Sequence, residues 1–261
     1  MTRLYAPIPD QKPYTVAAEF DLPEDSHHHW IRVLRARLGD TAELFDGAGQ
    51  AARVELIDIH KRGARVRVLA LSACANESPL HTHLGQVMSK GERLDYALQK
   101  AVELGVSEIT LLTSERCELK LRGEERADKK LAHWQRVMIG ACEQSGRNTL
   151  PLLHGPISVA DWQTQVQAEQ KWVLAPAVTG GPDVKQRPTS VALLIGPEGG
   201  LSEGEIVAAQ QAGFQPWQLG PRVLRTETAP VAALSVLQLL YGDYALGKSG
   251  TMPAGLAASA Q

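Results

Sequence analysis

Leu193-Leu194-Ile195-Gly196-Pro197-Glu198-Gly199-Gly200-Leu201-Ser202 is an apolar run that breaks into a glycine-rich loop and then into a helix start. The run 191–195 reads as a short buried strand. Ser202 with Glu205 three residues later is a capping-box pattern, so a helix begins directly after the loop. Strand, glycine loop and helix in that order form the repeating unit of an α/β sheet, and ligands bind such sheets at the carboxyl ends of the strands. A second loop repeats the arrangement. It reads Leu219-Gly220-Pro221-Arg222-Val223-Leu224-Arg225-Thr226-Glu227-Thr228-Ala229. Glycines in both loops let the backbone take positive φ or approach a ligand closely. Thr226 or Thr228 is a candidate cap for a last helix over about 231–244, with Pro230 tolerated in its first turn. That helix is apolar almost all round, which suits burial in a core or against another subunit.

The same alternation extends back to residue 83. Residues 84–88 read as a strand. Leu94, Ala97, Leu98, Ala101 and Val102 then recur at helical spacing, and Gly105 is placed to end that helix. Residues 109–112 are the next strand. Leu131, Trp134, Met138, Ala141 and Cys142 mark a second amphipathic helix, and 172–175 a further buried strand. Strands alternating with helices predict an α/β domain with a largely parallel sheet.

Residues before 73 follow another pattern. A short helix capped by Asp25 or Ser26 runs to Leu34. Strands follow at 41–45, 52–59 and 64–71, with Val66 and Val68 alternating with Arg65 and Arg67. Short strands with tight turns predict a small barrel. The layout expected is therefore a β domain over 1–72, a linker over 73–79, an α/β domain over 80–246 and a disordered tail over 247–261.

The chain has 261 residues, 44% hydrophobic and 21% charged, with a net charge of −2. No whole-protein field attracts nucleic acid, but local groups of cations do occur. Arg32, Arg35 and Arg37 form one group, and Lys61, Arg62, Arg65 and Arg67 another. Each reads either as a solvated face or as a phosphate-contacting face. Cys74, Cys117 and Cys142 fit no disulfide framework and no zinc spacing. His27-His28-His29 point in different directions on a helix and are a poor metal site, so no metal is expected. Without a signal core or a membrane-length apolar run, the chain reads as soluble and cytoplasmic. Two nucleotide fingerprints fail on context. Residues 47–52 match G-x-G-x-x-A but lead into a strand, and 242–249 match a P-loop but follow a helix.

Glu198 in the centre of the first loop disfavours a phosphate and favours a ligand with donor groups or positive charge. No metal cluster, helix-borne lysine or serine–histidine pair lies near either loop. The site therefore suits an organic cofactor that carries the reactive group while the protein positions it.

At these loops the sequence resembles the ribosomal RNA small subunit methyltransferase E family of the SPOUT superfamily. Further matches are Lys90-Gly91-Glu92-Arg93, Gln99-Lys100-x-x-Glu103-Leu104-Gly105-Val106, Ser114-Glu115-Arg116-Cys117 and Glu143-Gln144-Ser145-Gly146-Arg147-Asn148, with Arg3 and Ile31-x-Val33-Leu34-Arg35 near the N-terminus. The resemblance spans about residues 3–244. It implies an N-terminal PUA-like RNA-binding β-barrel and a C-terminal α/β SPOUT methyltransferase domain with a trefoil knot, working as a homodimer. It implies S-adenosylmethionine as cofactor and N3-methylation of one uridine in 16S rRNA near the decoding centre of the small subunit. Carried onto this chain, the cofactor loops are Leu174, Ala175 and Pro176; Ile195, Gly196, Pro197, Glu198, Gly199 and Gly200; and Leu219, Gly220, Val223, Leu224 and Arg225. Arg225 or Arg147 is the expected stabiliser of the uracil anion, and Glu143 or Glu227 the expected proton acceptor. Arg3, Arg32, Arg35, Lys90, Arg93 and Lys100 are the expected RNA contacts. A ribose hydroxyl of transfer RNA is the alternative target, and non-catalytic RNA binding the alternative function.

Overall fold

The computed structural model describes residues 1–7, 13–60, 63–72, 76–119, 123–175, 180–183 and 185–244. The expected linker at 73–79 thus falls partly outside the described residues, and Lys61 and Arg62 of the barrel turn wholly outside them. Cys74, Pro176 and the tail 247–261 fall wholly outside them, as does most of the P-loop-like run.

Five strands form the first sheet: β1 (Thr2–Tyr5), β2 (Glu19–Asp21), β3 (Thr41–Phe45), β4 (Ala51–His60) and β5 (Gly63–Ser72), in the order β1-β3-β4-β5-β2. The period-2 pattern has a direct cause. Val54 faces Val68 and Leu56 faces Val66 across the β4/β5 hairpin, and all four are buried. The alternate positions meet the edge strand β2, where Arg65 pairs with Asp21 at 3.0 Å and Arg67 with Glu19 at 2.8 Å. These two arginines form cross-strand ion pairs, so they do not make an unpaired phosphate-contacting face. Between β2 and β3, α1 (Glu24–His27) runs into a π-helical turn, His28–Val33, that drives Trp30 into the core. The expected cap does not form. Pro23 precedes the helix, and the Ser26 hydroxyl donates instead to the Tyr5 carbonyl.

The second sheet holds β6 (His81–Val87), β7 (Glu108–Thr113), β8 (Leu152–Ser158), β9 (Gln170–Leu174), β10 (Ser190–Ile195) and β11 (Gln215–Trp217). Its order is β11-β9-β10-β6-β7-β8, and every neighbouring pair is parallel. The helices are α2 (Glu92–Glu103), α3 (Glu124–Ser145), α4 (Val159–Gln165), α5 (Glu203–Gln211) and α6 (Thr228–Leu240). The five residues of the α2 stripe are its buried residues, and Gly105, at φ +80°, turns the chain out of the helix. Gly85 of β6 lies under Trp162 of α4, where a Cβ would stand 2.5 Å from the indole. β6 is followed by β7 and β8 on one side, while β10 lies on its other side with β9 and β11 beyond. The sheet therefore changes direction between β6 and β10, and in open α/β sheets ligands bind at the carboxyl ends of the strands at such a point.

The α5 capping box is complete. Glu205 N donates to Ser202 Oγ at 3.1 Å, and Ser202 N to Glu205 Oε2 at 2.8 Å. Helix α6 starts three residues earlier than expected and ends at Leu240. Pro230 is its third residue, inside the first turn, where an amide proton has no intrahelical partner to lose. Neither threonine caps it; Glu227 precedes the helix without a side-chain cap.

Candidate active site

The carboxyl ends of β9, β10 and β11 bring the two glycine loops together. After Ile195 the chain doubles back on itself at Gly196. A Cβ there would stand 2.9 Å from Leu201 N and 3.0 Å from Leu201 Cγ, so only glycine fits. Gly200, at φ +68°, closes the turn through its N–H to the Pro197 carbonyl at 2.9 Å. Gly220 takes φ +75° in the second loop. Thr226 ties the loops together: its hydroxyl donates to the Gly196 carbonyl at 2.9 Å. The third stretch joins through Ala175 N, which donates to Trp217 O at 3.1 Å. Leu174 is half-buried and Ala175 buried.

Charged groups frame the first loop. Arg93 of α2 pairs with Glu198 at 2.9 Å, and Arg116, just beyond β7, donates to the Gly199 carbonyl at 2.9 Å. Lys90 pairs with Glu118 at 2.7 Å, which holds that carboxyl below the usual range and the ammonium above its own. On the second loop Arg225 is exposed and has no ion-pair partner among the described residues, while its carbonyl accepts from Thr228 N and Ala229 N at 2.9 Å each. Leu219 and Leu224 are half-buried, and Val223 projects into solvent at 85% exposure. Glu227 is half-buried, and its Oε2 is buried without a hydrogen-bond partner. Among the described residues no group of three or more His, Cys, Asp or Glu is arranged to hold a metal ion, and no helix is long and apolar enough to cross a membrane.

Three expected site residues are placed elsewhere. Arg147 is 4% exposed and every arm of its guanidinium is committed: to Glu77 at 2.6 and 3.0 Å, and to the carbonyls of Val102 and Val106 at 2.9 and 2.8 Å. Glu143 accepts from Tyr5 N at 3.1 Å, and burial pushes its carboxyl above the ordinary range. Arg3 pairs with Glu43 and donates to Asn148 and to the Arg147 carbonyl at 2.7 Å. Arg3 and Glu143 tie β1 to the end of α3, while Arg147 ties the chain just after α3 to Glu77 and to the end of α2, and none can turn toward the loops without abandoning these partners. Lys100 pairs with Glu103 at 2.7 Å on α2. Arg32 and Arg35 are exposed on and just after the π-helical turn, with Arg35 at φ +58°. Gln86 of β6 and the contact between Arg116 and the glycine loop are not legible in local sequence, although Arg116 belongs to the Ser114-Glu115-Arg116-Cys117 motif.

Residues 76–238 match the family model of an RNA methyltransferase domain, and residues 22–69 match that of an RNA methyltransferase PUA domain. A match over more than half of the chain, on an α/β domain with two glycine loops at a switch point, makes this a member of the RNA methyltransferases with a PUA domain, of SPOUT type. Within that class the chain belongs to the ribosomal RNA small subunit methyltransferase E family. It is 39% identical to the family's member from Buchnera aphidicola subsp. Schizaphis graminum, over 84% of this chain and 89% of that one. The Bacillus subtilis member is 30% identical, over 87% and 94%. Among solved structures, the Neisseria gonorrhoeae member bound to S-adenosyl methionine superposes with a TM-score of 0.85 at 40% identity, covering 94% of this chain and all of that one. A Legionella pneumophila methyltransferase in complex with the same cofactor gives 0.87 at 39% identity, over 93% and 99%.

Proposed function

We propose that this protein transfers a methyl group from S-adenosylmethionine to N3 of one uridine in 16S rRNA, near the decoding centre of the small ribosomal subunit. We further propose that it works in the cytoplasm as a homodimer, and that the stretches after β9, β10 and β11 form a knotted cofactor cradle. The observation that carries the reading is the pair of glycine loops closed on each other by Thr226 at the switch point. The residues present fit the cofactor. Backbone donors and acceptors of the loops suit an adenine edge, and the Glu198 carboxylate, held by the exposed Arg93, tolerates a cationic ligand nearby. The buried Oε2 of Glu227, which has no hydrogen-bond partner among the described residues, also offers an acceptor to a donor group brought close.

When bound, the cofactor supplies a methyl group on a sulfonium. The chain's own residues then have three tasks. The loops hold the base and the methyl group within reach, which removes much of the entropic part of the barrier. Arg225, on the second loop and without an ion pair among the described residues, stabilises the negative charge that uracil gains as N3 loses its proton. Glu227 is the candidate acceptor of that proton, since its Oε2 has no other partner. Because the target nitrogen is inaccessible in a base pair, the base must be unpaired or flipped out. Arg32 and Arg35 on the N-terminal domain, and Lys90 and Arg93 beside the first loop, are the proposed RNA contacts. The dimer rests on α6, whose Val231, Ala232 and Val236 are only half-buried and whose Leu239 is 40% exposed.

The test is methylation of small subunits lacking the mark, followed by mass-spectrometric mapping of the nucleotide. A modified uridine N3 in 16S rRNA supports the reading, and a methylated ribose in transfer RNA replaces it. RNA binding without S-adenosylmethionine binding in calorimetry would leave a non-catalytic RNA-binding protein.

A further inference from the structure

We infer that Gln86 is a positioning residue that sets the two glycine loops at their working separation, acting through Thr226. The inference rests on the S-adenosylmethionine reading of those loops. Gln86 stands opposite Ile195 in the β6/β10 register, at the switch point, and is 1% exposed. Leu84, two residues earlier on the same face of the strand, is fully buried and apolar. A leucine at 86 would continue that face. The glutamine instead leaves its Oε1 buried with no hydrogen-bond partner among the described residues, an arrangement that costs stability. Stability alone does not account for an amide here.

Its Nε2 does. That nitrogen donates to the Val87 carbonyl at 3.1 Å and to Thr226 Oγ1 at 3.3 Å. The first bond fixes the orientation of the amide, because turning it over would set Oε1 against a carbonyl oxygen. The second fixes the threonine. A hydroxyl that accepts from Gln86 directs its own proton to the Gly196 carbonyl, at 2.9 Å. The result is a one-way chain from the core of β6, through Thr226 two residues ahead of α6, to the first residue of the β10 loop. Thr226 is 6% exposed, so bulk water does not substitute for either bond. Both loops are thus referenced to a single side chain anchored in the sheet.

Calorimetric titration of S-adenosylmethionine and thermal unfolding test this on Gln86→Leu, Thr226→Val, Thr226→Ser and the double variant Gln86→Leu/Thr226→Val. Gln86→Leu is expected to weaken the cofactor at least fivefold with a Tm equal to or above that of the parent protein. Thr226→Val is expected to weaken it similarly, Thr226→Ser to stay within twofold, and the double variant to be no weaker than the worse single one. The inference is overturned by parental affinity in Gln86→Leu, or by losses that add in the double variant and follow a falling Tm, the pattern of ordinary core support. Should Gln86→Leu fail to fold, the contrast between Thr226→Val and Thr226→Ser decides alone: equal affinities overturn the relay. A parent protein that binds no S-adenosylmethionine overturns the functional reading and this inference together. Binding by the parent with equal binding by every variant removes only the relay.

Discussion

Replacing Gly196 by alanine inserts one methyl group at the point where the first loop turns back on itself. The added Cβ would stand 2.9 Å from Leu201 N, 3.0 Å from Leu201 Cγ and 3.2 Å from Gly200 C. Ordinary carbon contacts lie at about 3.5–4.0 Å, so the loop must open by roughly 0.5–1 Å. Two of the three obstructing atoms are main chain and cannot rotate away. Overpacking of this kind costs about 1–3 kcal/mol. For a domain of this size that lowers Tm by roughly 2–4 °C per kcal/mol. The functional cost is larger, because the opening moves the Gly196 carbonyl off the Thr226 hydroxyl and separates the loops. A misplacement of about 1 Å can cost on the order of 100-fold in rate. Calorimetry should show S-adenosylmethionine bound at least tenfold more weakly, and a methylation assay on small subunits a kcat/KM lower by about 100-fold. Gly204→Ala, on α5 just beyond the loop, is the control. Its Cβ would meet only Ser202 Oγ, at 3.8 Å, an ordinary contact, so affinity should stay within about twofold. Parental affinity in Gly196→Ala would refute the reasoning that this turn shapes the cofactor site.

Three shorter predictions follow from the same geometry. Arg225→Ala should lower kcat/KM by about 100-fold while S-adenosylmethionine affinity changes little, as expected of a charge acting mainly in the transition state; near-normal methylation removes Arg225 from the mechanism. Arg147→Ala should lower stability by about 3 kcal/mol, because it strands two buried carbonyls and unpairs Glu77. Its turnover per folded molecule should be unchanged, and a selective loss of kcat at constant Tm would return Arg147 to the chemistry. Burial pushes the His83 imidazole down to about 4, and the Trp162 N–H aimed at its Nε2 at 3.3 Å also opposes a proton there. From pH 6.5 down to 4 the unfolded chain takes up a proton at this residue that the folded chain refuses, so stability is full above pH 6.5 and falls by up to about 3 kcal/mol toward pH 4. A His83→Gln protein should show a flatter dependence of Tm on pH in that window, and an unchanged slope would contradict the assignment.

What the sequence disclosed depends on how each element is encoded. The α2 stripe, the α5 capping box and the buried run of β10 are written in local pattern, and each was readable. Elements that depend on distant partners were not. β1 has four residues and exists because β3 pairs with it in parallel. β8 contains Gly155-Pro156, and β11 is three residues with a central proline, so both look like loops until their neighbours are in place. The site divides in the same way. Glycines that must turn or be approached announce themselves by residue type. Charged side chains do not, because an arginine that will meet uracil and one that will meet two backbone carbonyls look alike. Arg225 and Arg147 were therefore equal candidates until Arg147 was found buried. Gln86 was invisible for the opposite reason: an amide inside a strand reads as a weak interior position, and only its line to Thr226 and Gly196 gives it a purpose.

The distribution of charge bears on how such a chain selects RNA. With a net charge of −2, affinity must come from local cations, and many are already paired internally: Arg3, Arg65, Arg67, Lys90, Arg93, Lys100 and Arg147 each face a carboxylate. Arg222 and Arg225 on the second loop, and Arg32, Arg35 and Arg37 about the π-helical turn, have no ion pair among the described residues. Each phosphate neutralised contributes a salt slope of about −0.7 on a single strand, so a few contacts give weak, salt-sensitive binding to free RNA. The Arg93–Glu198 pair is half exposed, and exposed pairs are worth about 0–1 kcal/mol. A phosphate can therefore take Arg93 from Glu198 at little cost, which links RNA arrival to the charge at the centre of the first loop. Electrostatics this sparse favours a target whose shape supplies the remaining contacts, as a folded ribosomal subunit does and a free strand does not.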